Sequence, residues 1–229
     1  LKNALNALSV GRETAAPRSL TTPWSRHVTP ENAWREYPRP QLVRESYINL
    51  NGLWDCAVTE RHALLYRGQI LVPFSPEAPL SGVGRQLLPG QVLHYSRRFP
   101  LPQKPAGKRL LLHFGAVDER CRVCVNGREA GRHRGGYLPF SFDITELVRA
   151  GENTLSVSCR DDSDTSFHSR GKQRLKRGGI FYTAQSGIWQ TVWMEWVPEV
   201  YIESIRLTPD YDREEVQIHL DIHTLAASL

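Results

Sequence analysis

From Ile48 onward, apolar and polar positions alternate in short runs broken by turn residues, and no long stretch carries helical periodicity. Strands are predicted over 51–59, 69–74, 94–101 and 108–114. Cys121, Val123 and Val125 then alternate with Arg122 and Cys124. Asn126-Gly127 supplies the positive-φ pair of a tight hairpin, and 128–132 returns. Over 153–160, Leu155, Val157 and Cys159 share one face while Ser156, Ser158 and Arg160 share the other, which predicts one buried and one wet face. The run 188–197 is apolar on both faces and predicts a central strand pressed between layers. Only 145–149 has the pattern of one or two helical turns, with Asp143 placed as their N-cap. Many short strands joined by loops predict an all-β sandwich rather than a parallel α/β sheet.

The flanks read differently. Residues 1–22 hold Leu1, Ala4, Leu5 and Leu8, interrupted by Asn3 and Asn6, which is too short for a signal core and predicts a loosely docked arm. The first residue is Leu1 rather than Met, so the chain is expected to be part of a longer polypeptide. Two prolines in 36–41 keep that segment extended, and it is expected to lie across the surface of the downstream strands. Beyond Pro198, strands are predicted over 201–207 and 214–224, the second alternating Val216, Ile218, Leu220 and Ile222 with polar partners. Two strands cannot bury a face alone. They are therefore expected to open a truncated second domain whose apolar face packs on the first, pairs with another copy as a homodimer, or stays loose.

Composition narrows the function classes. A chain of 229 residues leaves no room for a complete (β/α)₈ barrel of ~250 residues. The greasiest run, 188–197, contains Gln190 and Glu195 and falls short of the ~20 apolar residues of a membrane helix, so no membrane partner is expected. With 29 Lys+Arg against 24 Asp+Glu the net charge is +5, but it is spread thinly. The densest patch, Lys172, Arg174, Lys176 and Arg177, reads as a solvated loop, and no nucleic acid is expected. Cys121 and Cys124 form a C-x-x-C on a strand, where i and i+3 point to opposite faces; neither chelation nor a disulfide suits that geometry. Four free thiols tilt the compartment toward the cytoplasm without demanding it.

An ordered set of strings carries a family resemblance: Tyr37-Pro-Arg-Pro-Gln41, Leu50-Asn-Gly-Leu-Trp-Asp55, Val72-Pro-Phe74, Tyr95-Ser-Arg-Arg-Phe99, Leu112-His-Phe-Gly-Ala-Val-Asp118, Val125-Asn-Gly127, Gly135-Gly-Tyr-Leu-Pro-Phe140 and Ser186-Gly-Ile-Trp-Gln-Thr-Val-Trp193. Together they resemble the amino-terminal sugar-binding jelly roll of glycoside hydrolase family 2, the β-galactosidase, β-glucuronidase and β-mannosidase group. The resemblance implies an extended arm over 1–33, a galactose-binding-like jelly-roll β-sandwich over 34–199, and the first strands of an immunoglobulin-like sandwich over 200–229. It also implies a parent enzyme that cleaves terminal β-glycosides with retention by two barrel glutamates outside this chain. Expected partners are a carbohydrate and the rest of that enzyme. An independent carbohydrate-binding module, or a structural domain that never touches sugar, are the alternatives.

Read as residues, Trp54 is large enough to plug one end of a sandwich or to offer a sugar platform. Arg97 and Arg98 point to opposite faces, one of them paired with a carboxylate. Asp118, at a strand corner, reads as a cap for backbone N–H groups, and Gly135-Gly136 as a sharp bend. The long charged loop 161–183 has the best claim on a ligand. The resemblance sends loops of this domain toward the barrel mouth, which makes Asp161, Asp164, Lys172, Gln173 and Tyr182 candidates for a sugar-pocket rim, with His94 and Tyr95 beside them. Tyr182 or Trp189 could stack on a pyranose. The acidic cluster lacks the Gly and distal Glu of an EF-hand, so no metal or cofactor is assigned. No H-E-x-x-H or G-x-S-x-G string occurs, and no catalytic residue is assigned within the chain.

Overall fold

The computed structural model describes residues 21–39 and 41–224. The chain is all-β. Its strands are β1 (Ile48–Asn49), β2 (Gly52–Glu60), β3 (Ala63–Val72), β4 (Gln91–Leu101), β5 (Lys108–Phe114), β6 (Val117–Asp118), β7 (Arg120–Val125) and β8 (Arg128–Arg134). They continue as β9 (Phe140–Asp143), β10 (Gly151–Arg160), β11 (Gln173–Arg174), β12 (Tyr182–Thr183), β13 (Gly187–Ile188), β14 (Val192–Pro198), β15 (Tyr201–Asp210) and β16 (Glu215–His223). A six-stranded sheet in the order β3-β2-β4-β10-β7-β8 faces a four-stranded sheet in the order β1-β14-β5-β9. One hydrophobic core lies between them, with Trp54, Tyr95, Leu93, Val123, Leu155 and Val157 from the first and Leu110, Leu112, Phe114, Val192 and Met194 from the second. Among the described residues no helix is long and apolar enough to cross a membrane.

Local chemistry explains the elements. Asn126 and Gly127 take φ +51 and +79, the two positive values that match the turn to the twist of β7 and β8. Strand β10 alternates as its sequence does, with Asn153, Leu155, Val157 and Cys159 buried. Strand β14 is buried on both faces from Val192 to Val197. Its inner face meets the core, and its outer face is covered by the extended segment before β1. Glu195 anchors that cover: its carboxylate is fully buried, pairs with Arg44, accepts from the Tyr37 hydroxyl at 2.7 Å and lies 3.1 Å from His113 Nε2. Burial alone would raise its pKa; the hydrogen bonds from His113 and Tyr37 and the Arg44 charge hold it down at about 2. Arg39 reaches His113 Nδ1 at 3.1 Å and lies over Trp193.

Two local expectations change, and the choice left open at Trp54 is decided. Residues 145–149 form turns, not a helix: Asp143 Oδ1 accepts from the Thr145 N–H at 2.9 Å, and Leu147 N bonds to Ile144 O. Two residues after a strand end, an Asx-type turn satisfies the backbone with fewer ordered residues than a helix. Arg97 meets carbonyls rather than a carboxylate, donating to Asn51 O (3.2 Å) and Leu53 O (3.3 Å) with its guanidinium over the Trp54 ring. Arg98 points outward, 3.9 Å from Glu152. Trp54 itself is a core residue, 1% exposed, its Nε1 donating to Leu50 O. The amphipathic pattern expected near Leu1–Leu8 lies outside the described residues.

The hairpin β15–β16 forms a separate two-stranded ladder. Leu207, Val216, Ile218, Leu220 and Ile222 on it are exposed. Leucines in the two settings therefore should differ sharply. Leu112→Ala, in the core, is expected to cost about 2–5 kcal/mol in urea unfolding, and Leu207→Ala, on the hairpin, within about 0.5 kcal/mol. Equal losses would mean the hairpin face is buried in solution.

Candidate functional site

The strand ends β6, β10 and β13 meet at one corner of the sandwich. Asp118 pairs with Gly187 in the β6–β13 ladder, and the Cys159 thiol donates to Asp118 O at 2.9 Å. Asp161 follows β10 with the same inward parity as Asn153 to Cys159, so it enters the interior at 5% exposure. Asp118, Asp161 and His168 thereby come together, with one ligand-type atom of each within 4.8 Å of the others. His168 Nε2 stands 3.5 Å from Asp161 Oδ1, which also accepts from the Ser163 N–H at 2.7 Å. Among the described residues Asp118 Oδ1 and His168 Nε2 are buried without a hydrogen-bond partner. Two carboxyl groups and an imidazole of this kind are hydrogen-bonding groups held out of solvent, and carboxylate oxygen with imidazole nitrogen is a donor set of borderline cations such as Zn²⁺ rather than of hard ones.

Asp118 does not cap backbone N–H groups as its position suggests. Gly136 packs against its carboxylate so closely that any Cβ there would collide with it. The Gly135-Gly136 pair thus serves both the bend, with Gly135 at φ +118, and the space for Asp118. Burial, then the charges of Asp161, Glu119 and Glu77, push the Asp118 pKa up to about 7. Burial also raises Asp161 against the Ser163 hydrogen bond. Beside them, Tyr137 is raised by burial and then by Asp118 and Asp161. Tyr137 meets Trp189 edge-on at 6.1 Å, and Trp189 Nε1 donates to Gly136 O at 2.8 Å.

The loop 161–186 is fastened rather than free. Gln173 Nε2 donates to the Tyr137 hydroxyl at 3.2 Å, and Gln173 Oε1 accepts from Gln185 N at 2.6 Å. Gln173 pairs with Tyr182 in the β11–β12 ladder, where Tyr182 N bonds to Lys172 O at 2.9 Å. Glu77 holds the loop from below, accepting from Ser186 N, Ser186 Oγ (2.6 Å) and Leu87 N; burial nevertheless lifts its pKa to about 7.

The expected rim residues therefore separate into groups. Asp161 joins Asp118 and His168. Gln173 and Tyr182 pair in the small ladder and Lys172 adjoins it through its carbonyl, with Tyr182 exposed and Gln173 linking the ladder to Tyr137. Asp164 turns back into its own loop, where Oδ1 accepts from Leu175 N at 3.1 Å. Tyr95 is a core residue at 2% exposure whose hydroxyl accepts from Ile188 N at 3.0 Å, and it offers no surface to a ligand. Adjacent strand residues face opposite ways. His94 accordingly sits on the outer face of the six-stranded sheet, 2.9 Å from Thr59 Oγ1. Sequence reasoning missed Asp118, Tyr137 and His168 as site residues; the Gly-Gly before Tyr137, opposite an aspartate at a strand end, was the available signal.

The raised carboxyls fix a pH dependence. Between about pH 4 and about pH 7 folded Asp118 and Glu77 hold protons that the unfolded chain has released, so stability falls as pH rises through that window and is level above it. Asp161 acts in the same direction. Asp118→Asn is expected to remove roughly a third of that fall in thermal unfolding and to be the more stable form near neutral pH. An unchanged slope would place the proton elsewhere.

Known proteins resemble this chain in sequence and in fold. Residues 87–198 match the family described as glycosyl hydrolases family 2, sugar binding domain. The β-galactosidase of Thermoanaerobacter pseudethanolicus is 29% identical over 124 residues, 53% of this chain and 16% of that protein. The β-glucuronidase of Sus scrofa is 28% identical over 148 residues, 56% of this chain and 22% of that protein. A β-glucuronidase from an uncultured Clostridium sp. superposes with a TM-score of 0.57 at 26% identity, covering 81% of this chain and 35% of that structure. The chain thus spans only a minor part of the enzymes it is similar to. By sequence and by fold, residues 87–198 are a sugar-binding domain of glycosyl hydrolase family 2.

Proposed function

We propose that this chain is the non-catalytic, sugar-facing part of an enzyme that removes terminal β-linked sugars with retention. The single observation that carries the reading is the fastened loop 161–186, which presents the exposed Tyr182 and the Tyr137–Trp189 pair beside the buried Asp118–Asp161–His168 corner. Exposed aromatic faces of this kind hold and orient a pyranose rather than break its bond. Retaining hydrolysis needs two carboxyl groups about 5–5.5 Å apart with the glycosidic carbon between them. Asp118 and Asp161 come near that separation, yet both are more than nine-tenths buried and Asp161 is committed to Ser163. A sugar ring does not fit between them. In this reading residues 200–224 begin a further sandwich that covers the exposed apolar face of the β15–β16 hairpin.

The chain alone is expected not to release nitrophenol from nitrophenyl β-galactoside or β-glucuronide. In the full enzyme, Tyr182→Ala is expected to raise KM about fivefold, the loss of one aromatic face against the sugar. Turnover by the isolated chain, or an unchanged KM, would count against the proposal.

A further inference from the structure

A second feature lies on the outer face of the six-stranded sheet. Register places Arg160 of β10, Arg120 of β7 and Arg134 of β8 side by side. One repeat along, Ser158, Arg122 and Arg132 form the next row. Neighbouring strands are about 4.8 Å apart and equivalent residues along a strand about 6.7 Å, so five guanidinium groups share a small area. Directly opposed like charges destabilise a sheet, and here they are only partly offset. Glu119 takes Arg120 (3.3 Å) and Arg134 (3.0 Å), Asp162 also binds Arg120, and Glu129 takes Arg122 (2.6 Å) and Arg132 (2.9 Å). Arg160 has no carboxylate within ion-pair distance among the described residues.

These side chains, with Thr59, His94 and Ser158, line a groove of about 800 Å³. Arginine stays charged at any physiological pH and presents a fork that matches carboxylate and sulfate oxygens. Burial and then the Arg160 charge lower the His94 pKa, so its ring stays neutral beside the arginines. No Phe, Tyr or Trp lines the groove, which removes the stacking platform that single-stranded nucleic acid uses. The hydroxyls of Thr59 and Ser158 stand among the cations, as a polyol with acidic groups requires. We propose that this groove binds an acidic oligosaccharide, its carboxylate or sulfate groups on Arg160, Arg134 and Arg122 and its hydroxyls on Ser158 and Thr59.

Calorimetric titration of the 229-residue chain tests this with hexagalacturonate, a heparin hexasaccharide, a neutral galactose hexasaccharide and a short DNA duplex. At least one acidic sugar is expected to bind and to weaken about tenfold between low and physiological salt, while the neutral sugar does not bind. Binding of hexagalacturonate assigns carboxylate, and binding of the heparin hexasaccharide alone, which carries both groups, assigns sulfate. Arg160→Gln, at an exposed position, is expected to weaken binding about fivefold, and Arg160→Gln with Arg134→Gln about twentyfold. Arg213→Gln on the remote hairpin is expected to leave it unchanged. If the double variant does not fold, the single one decides. Binding of neither acidic sugar, tighter binding of the duplex, or an unchanged affinity in Arg160→Gln would overturn the proposal.

Discussion

The alternation of strand β10 governs both the acidic corner and the arginine groove. One face of it is buried from Asn153 through Cys159, and the chain keeps that parity for one more inward position, Asp161. An aspartate delivered by such a strand has no choice of environment. It leaves water with the apolar side chains that precede it, and its carboxyl rises in pKa because the sheet, not the loop, sets its depth. The same parity turns Arg160 outward, beside Arg120 and Arg134. Acceptor corner and basic groove are thus the two faces of one strand end.

That strand end is rigid only because the opposite sheet is. Strand β14 is buried on both sides, which Glu195 tolerates only with Arg44, Tyr37 and His113 around it. Loss of one partner from a buried charge is far more damaging than the net worth of the pair. The segment before β1 therefore acts as part of the fold, closing the outer face of the four-stranded sheet and holding β14 against the core on which β10 rests.

Much of this was legible wherever one strand decides the outcome. Asn126-Gly127 announced its hairpin, 153–160 its wet and dry faces, and 188–197 its double burial, because period and turn chemistry are local. The site was less legible because its members come from different strand ends. Asp118 and Asp161 are brought together only by the β6–β13 ladder and the end of β10, and His168 only by the path of the loop. Nothing in the spacing of these residues encodes that meeting. Tyr95 shows the converse: a string shared with His94 suggested a common rim, yet neighbours on a strand are bound to opposite faces, and the inward one became core. Asp118 misled for a third reason, since a strand-end aspartate caps the backbone by habit and here its carboxylate fills the space that Gly136, having no Cβ, leaves open.

The corner and the groove also share charge. Arg120 contacts Glu119 and Asp162, the sequence neighbours of Asp118 and Asp161. Its guanidinium is tied to the acids on one side and stands in the arginine row on the other. Glu119 is itself among the charges that raise the Asp118 carboxyl. An anion placed on the row would compete for Arg120 and Arg134, leave Glu119 less neutralised, and favour the protonated form of Asp118 still further. A neutral Asp118 donates where a charged one only accepts, so occupancy of the outer face would change the hydrogen bonding available inside the corner. The two faces of β10 are in that sense one electrostatic unit, joined through Arg120 and Arg134.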